Sequence, residues 1–111
     1  AETKRPKPAP ALAFSWAGPA DVEWEALTSL GARKGADRGT PECSSKKLYS
    51  AGACSVGAWT CTEGGFPVPS RPTTEWFYVI EGEGTLTDKD GTPHPWGPGD
   101  TVVLPKGWVG R

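Results

Sequence analysis

Glycine and proline interrupt the second half of this chain at close intervals, and these interruptions limit the folds that the chain can adopt. The sequence holds 15 Gly and 12 Pro in 111 residues, and no repeat period organises them. From residue 48 onward, short apolar runs end at such breaks, as at Gly64-Gly65, Gly82 and Gly97-Pro98. Short runs at close spacing, with no helical period between them, are typical of a β-sandwich or barrel. The sequence therefore predicts an all-β fold.

Strands are predicted over residues 55–62, 73–80, 85–88 and 101–104, with a hairpin turn at 88–91. The segment TEWFYVI is apolar on both of its alternating faces, so both faces should be covered. The barrel interior is expected to cover one face. The N-terminal segment around Phe14, Trp16 and Trp24, or a second protein, would cover the other. The interface candidates are Trp76, Tyr78, Ile80, Trp16 and Trp108.

The first 47 residues have a different texture. Residues 1–18 are rich in Pro, Ala and Lys and predict an extended arm, either a disordered tail or a segment that becomes ordered on a partner. Residues 19–30 predict one short helix, capped by Asp21, with apolar residues at three-residue spacing. Residues 31–47 lack an apolar period and predict an exposed loop. The expected organisation is an arm (1–18), a helix and loop (19–47) and a β domain (48–111).

Charge and apolar patterning exclude some classes of protein. The net charge is −1, whereas nucleic-acid binders usually carry a basic excess. No apolar run reaches the length of a membrane span, which leaves open a peripheral place on a membrane complex. The chain begins at Ala1 and contains no Met. Removal of an organellar targeting peptide and removal of the initiator Met alone both account for this start.

Cys43, Cys54 and Cys61 have no paired C-x-x-C spacing, so a structural zinc site is not expected. Three reduced cysteines acting as small hydrophobic residues are the favoured interpretation. One disulfide with one free thiol is the alternative.

Residues 57–110 resemble a cupin, in the branch that includes ureidoglycine aminohydrolase-like domains. The runs GAWTCTEGGF, EWFYVIEGEGTLTDKDG and GPGDTVVLPKGWVG carry the resemblance. Glu75 with Gly82 matches the end of the first cupin motif, and Gly99-Asp100, Pro105 and Gly107 match the second. The resemblance implies a jelly-roll barrel of two antiparallel sheets. Cupins of this branch continue past G-W-x-G with a further strand, so we expect this barrel to lack its last strand.

The metal ligands of cupin enzymes are not found at the matching positions. The resemblance implies two His in an H-x-H pair, the motif glutamate, and a third His after the second motif. The pair would fall on Pro69 and Arg71, or on Val68 and Ser70, and the third His on Gly110. Only Glu75 remains, so we expect neither a metal nor another cofactor.

Two kinds of function follow from these expectations. The first is a non-catalytic cupin that serves as a structural or interaction subunit of a larger complex, for instance an organellar photosynthetic or respiratory one, with a homo-oligomer also open. The second is a ureidoglycine aminohydrolase-like enzyme or a small-ligand-binding cupin that uses the barrel mouth. At the barrel mouth, we expect Glu75 and Arg71 to form a structural ion pair and favour this interpretation over an acid/base pair. The pocket candidates are Glu75, Arg71, Phe77 and Trp59.

Overall fold

The computed structural model describes residues 18–111 and divides them into two compact units. The first unit contains residues 18–33 and 41–63, and the second contains residues 34–40 and 64–111. The strands are β1 (Thr28–Ala32), β2 (Glu42–Ala51), β3 (Cys54–Cys61), β4 (Glu75–Tyr78), β5 (Gly84–Thr87), β6 (Pro93–Trp96) and β7 (Thr101–Leu104).

All strand pairs are antiparallel. Helix in the described residues is limited to two 3-10 turns, Pro19–Asp21 and Trp24–Ala26. The prediction of an all-β fold is therefore confirmed for this part of the chain. Closure of the sheets into one barrel stays a prediction.

The first unit is a three-stranded sheet in the order β1-β2-β3. A tight turn joins β2 to β3, and Gly52 in this turn has a φ of 56°, a conformation that glycine adopts at little cost. The register opposes Cys43 to Cys61 and Ser45 to Trp59, with an irregularity between Lys47 and Tyr49. Pro41, Cys43 and Ala58 are buried in this unit.

The helix predicted over residues 19–30 was wrong. Asp21 closes a 3-10 turn, where its carboxylate accepts a hydrogen bond from the Gly18 N–H at 2.7 Å. The apolar residues at three-residue spacing do not share one helix: Trp24 lies in the second 3-10 turn, Leu27 follows that turn, and Leu30 lies on β1. From Thr28 onward the chain is β1, which pairs with β2, and Leu30 in it is 63% exposed.

The loop predicted over residues 31–47 was also wrong at both ends, because β1 reaches Ala32 and β2 begins at Glu42. Residues 44–47 of β2 are all polar, so the alternation of apolar and polar residues that would predict a strand is absent there. Its register with β3 is set instead by backbone hydrogen bonding between neighbouring strands.

The second unit contains two two-stranded sheets, β4–β7 and β5–β6. Its buried side chains include Val68, Val79 and Leu104. Each of these stabilises the fold by about 1.5–3 kcal/mol through removal from water. The ring of Phe77 on β4 meets the ring of Trp96 on β6 edge to face, with centroids 5.8 Å apart.

The last residues of the sequence join two other segments of the second unit. Gly110 and Val68 exchange backbone hydrogen bonds of 3.1 and 2.7 Å. Arg111 and Thr87 exchange two more, of 2.9 and 2.8 Å. The segment 108–111 is thereby held on both sides, which fixes the position of the second motif relative to the first.

Candidate functional site

The place where a cupin enzyme holds its metal contains an ion pair in this protein. Glu75 is the first residue of β4, and its carboxylate accepts a hydrogen bond of 2.6 Å from Nη2 of Arg71. The backbone of Arg71 bonds to Gly107 and Trp108, at 2.8 and 3.0 Å. These bonds fix the segment that carries the guanidinium, whose side chain is 17% exposed against 46% for Glu75.

The remaining ligand positions of the cupin pattern carry no imidazole, carboxylate or thiolate group that could bind a metal ion either. Val68 is buried and bridged to Gly110, while Pro69 and Ser70 are exposed. At Gly110 a Cβ atom would collide with the backbone oxygen of Thr87 and with the indole of Trp108, whose nearest atom would lie 2.5 Å away. No side chain, histidine included, fits at that position without movement of its neighbours.

We conclude that these residues do not fit a cupin metal ion. A divalent transition metal requires several imidazole, thiolate or carboxylate donors converging on one point. Here the single carboxylate is already paired with a permanent cation. Among residues 18–111, no three His, Cys, Asp or Glu side chains come together in a group that could hold a metal.

The other two pocket candidates are placed differently. Phe77 lies on the same face of β4 as Glu75, since their side chains are two positions apart. It is half-buried and packs on Trp96. Trp59 lies on β3 in the first unit, and its participation in this site stays a prediction.

Among the interface candidates, Trp76 and Tyr78 lie on the opposite, exposed face of β4, and Ile80 follows two residues after this strand ends at Tyr78. Trp76 is 58% exposed, Tyr78 53% and Ile80 45%. Directly across the strand pair, Trp76 opposes Val103, which is 55% exposed, and Tyr78 opposes Thr101. We call these five residues the β4–β7 outer face.

The two remaining interface candidates do not belong to this face. Trp108 is half-buried and donates its indole N–H to Asp88 at 3.0 Å. Trp16 lies outside the described residues.

A cluster that the sequence analysis missed is centred on Asp88. Its Oδ2 lies 2.6 Å from Nε2 of His94, and its Oδ1 accepts the Trp108 hydrogen bond. The hydrogen bond with His94, followed by that from Trp108, holds the pKa of the Asp88 carboxyl below its ordinary value. A hairpin turn was predicted at Asp88, but nothing local indicated that residue 108 would reach it.

A shallow open cavity of about 240 Å³ lies beside this cluster. Its lining includes Leu86, His94, Trp96, Asp100 and Val102. Nε1 of Trp96 is buried, and none of the described residues accepts a hydrogen bond from it. The Trp96 side chain thus contributes to the cavity lining and also carries a buried N–H that no described residue accepts.

Comparison with known proteins agrees with the motif assignment. A family model described as the EutQ-like cupin domain matches residues 48–111, more than half of the chain. No match was found among curated proteins. None of the described residues forms a helix long and apolar enough to cross a membrane. By its family match, this chain belongs to the EutQ-like cupin domain family, and thus to the cupins.

Proposed function

We propose that this protein is a non-catalytic cupin that acts as a structural or interaction subunit of a larger assembly. The observation that carries the proposal is the β4–β7 outer face, with Trp76, Tyr78 and Val103 each more than half exposed. The partner in this proposal is another protein subunit that presents a complementary apolar surface.

The chemistry of the face supports a protein partner. Trp76 and Val103 are opposite each other, and neighbouring side chains of one face of a sheet form a continuous surface. Large exposed apolar patches are rare on soluble monomers and mark sites of interaction. Tryptophan and tyrosine are also enriched among the residues that dominate the binding energy of interfaces.

The pairing of Arg71 with Glu75 supports the non-catalytic part of the proposal. The Glu75 carboxylate accepts a charge-assisted hydrogen bond of 2.6 Å from the Arg71 guanidinium, so this oxygen is already occupied. Neither a metal-bound water nor a general base follows from this arrangement. The resemblance of GAWTCTEGGF and GWVG to the ureidoglycine aminohydrolase-like branch would then reflect shared ancestry of the fold, with loss of the family chemistry.

Purification of the tagged chain from its native source tests the proposal. We expect a protein partner in fixed stoichiometry with the wild-type chain, and its loss from the double variant Trp76→Ser/Tyr78→Ser. Val56→Ser is the matched control, because Val56 is 51% exposed but lies on β3 in the first unit. A partner retained by the double variant, or a chain that purifies alone, would contradict the proposal. The organellar character of the assembly stays a prediction that fractionation of the same source tests.

A small-ligand-binding cupin, with or without an enzyme activity, is the second candidate. The observation that favours it is the 240 Å³ cavity lined in part by Trp96, whose buried indole N–H has no acceptor among the described residues. The cavity is smaller than most pockets for drug-sized ligands, which range from about 300 to 1,000 Å³. A ligand that saturates the wild type and is weakened by Trp96→Phe, which keeps an aromatic ring but removes the N–H, would favour this candidate.

Measurement of the metal content distinguishes a metal-dependent cupin enzyme from both the interaction subunit and a metal-free ligand-binding cupin. An enzyme of the cupin kind would contain Mn, Fe, Ni or Zn at one equivalent and would lose it in Glu75→Gln. The proposed interaction subunit contains no stoichiometric metal, and Glu75→Gln leaves its metal content unchanged.

A further inference from the structure

Two cysteines of the first unit face each other across a strand pair. Cys43 on β2 is directly opposite Cys61 on β3, and their Sγ atoms are 3.6 Å apart. The N–H of Thr62 bonds to the carbonyl of Glu42 at 3.0 Å, so the neighbouring pair is hydrogen-bonded. Antiparallel pairs alternate, which makes Cys43 and Cys61 a non-hydrogen-bonded pair with Cα atoms about 4.5 Å apart. A disulfide accepts Cα separations of about 4.4–6.8 Å.

The third cysteine is excluded from this pair by the same strand geometry. Cys54 begins β3, where its register partner is Ala51. It lies seven residues from Cys61, roughly 24 Å along an extended strand. Cys54 is exposed, whereas Cys43 is 3% exposed and Cys61 is half-buried.

We infer that Cys43 and Cys61 form a redox-active dithiol, which a disulfide-bearing oxidant converts to a cross-strand disulfide while Cys54 remains a free thiol. The inference goes beyond the proposed function and does not rest on it. The oxidant is a small-molecule disulfide or the disulfide of a redox protein, and glutathione serves as the probe for this class.

The reaction balances as two thiol–disulfide exchanges. The sulfur of Cys61, the more accessible of the two, attacks the oxidant and forms a mixed disulfide, and one thiol of the oxidant leaves. Cys43 then displaces the second thiol and closes the bond to Cys61. Two S–H bonds of the protein are replaced by two S–H bonds of the reduced co-reactant, and the protein loses two electrons.

The surroundings of the pair determine its kinetics. Burial, with a further contribution from Cys43, raises the pKa of Cys61 to about 11. The thiolate fraction at neutral pH is therefore small, and oxidation is slow unless a catalyst is present. A thiol of high pKa is also a slow leaving group, so the disulfide persists once it has formed.

The bond would join strands in a unit with little buried apolar surface. The described residues of this unit bury Pro41, Cys43 and Ala58, and the β2–β3 register is irregular between Lys47 and Tyr49. A cross-link between Cys43 and Cys61 restricts the unfolded chain and holds β2 against β3. The oxidised form should therefore unfold at a higher temperature than the reduced form.

Thiol counting on the full chain tests the inference. The protein is equilibrated at graded ratios of oxidised to reduced glutathione, quenched in acid, unfolded, labelled with a maleimide and measured as the intact mass. We expect three labels in the reduced protein and a single label, on Cys54, in the oxidised protein, whose labelled mass is lower by two labels and two hydrogens. Three labels at every ratio, or a disulfide that joins Cys54 to Cys43 or to Cys61, would overturn the inference.

Two serine variants make the test specific. The Cys54→Ser variant keeps Cys43 and Cys61, so the number of maleimide labels per chain should fall from two to none as the glutathione becomes more oxidised. Cys61→Ser should keep two labels or carry a glutathione adduct, and should show no thermal shift between the two conditions. If Cys61→Ser gains the same shift on oxidation as the wild type, the stabilisation does not come from this bond and the inference fails.

Discussion

Trp108 donates its indole N–H to the carboxylate of Asp88, which connects the second cupin motif to the turn between β5 and β6. His94 binds the other oxygen of the same carboxylate. The half-buried side chain of Asp88 thus joins His94, six residues away across the turn, to Trp108, which is 20 residues away. Trp108 lies two residues before Gly110, so this hydrogen bond helps to hold the segment that carries Gly110.

Stability at acidic pH should depend on Asp88. Because His94 and Trp108 lower its pKa in the folded state, Asp88 stabilises the fold above its unfolded-state pKa of about 3.9. This contribution is lost as the pH falls below that value toward the lower folded-state pKa. We expect Asp88→Asn to reduce the pH dependence of the urea midpoint between about pH 4 and 2. Glu81→Gln, an exposed carboxylate outside this cluster, is the control, and equal acid profiles for wild type and Asp88→Asn would contradict the account.

Arg111 should control the titration of Asp37. Its guanidinium donates one hydrogen bond from each terminal nitrogen, at 2.7 and 2.8 Å. This hydrogen bonding lowers the pKa of Asp37. In Arg111→Gln, the NMR-monitored pKa of Asp37 should rise toward the ordinary aspartate value. Arg111→Lys should give an intermediate result, because lysine keeps the charge but loses the two-pronged geometry. An Asp37 pKa that is the same in all three proteins would show that the pair does not form in solution.

Gly110 should tolerate no side chain. Its absent Cβ faces the backbone oxygen of Thr87 and the ring of Trp108. We expect Gly110→Ala to lower the free energy of unfolding by about 1–3 kcal/mol, the usual cost of forcing extra volume into a packed site. Gly97→Ala should change it by no more than about 0.5 kcal/mol, because the space around residue 97 is open. Denaturant titration measures both, and equal effects would show that the close contact at Gly110 is absent.

The two faces of the β4–β7 sheet should respond differently to substitution in the isolated chain. Trp76 is exposed on the outer face, and Trp76→Ser should change the free energy of unfolding by about 0.5 kcal/mol at most. Leu104 is 7% exposed on β7, and Leu104→Ala should cost about 2–5 kcal/mol. A large loss in Trp76→Ser would mean that the outer face is already covered within the protein itself.

The sequence was most informative where local chemistry decides the structure. β4 and β7 lie within predicted strands, and β5 overlaps the strand predicted over 85–88 but begins one residue earlier. Gly91 and Gly99 adopt the positive φ that turns require. The Arg71–Glu75 ion pair, preferred from the sequence over an acid/base pair, is also present.

Prediction failed where pairing overrides local preference. β6 contains Pro93 and Pro95, which argue against a strand. Pro93 is nevertheless accommodated opposite Thr87. The backbone N–H and carbonyl of Thr87 both bond to Arg111, so Thr87 does not require the N–H that proline lacks. The Asp88–Trp108 hydrogen bond and the Cys43–Cys61 pair depend on contacts between residues 20 and 18 positions apart in sequence. No local pattern could have indicated them.

The central claim, that the β4–β7 outer face is a protein interface, is tested most directly by hydroxyl-radical footprinting of Trp76 and Tyr78. The modification rates are measured in the isolated chain and in the assembly as it is purified from its source. We predict rapid modification in the isolated chain, where both side chains are more than half exposed, and strong protection in the assembly. Equal rates in the two samples would contradict the claim.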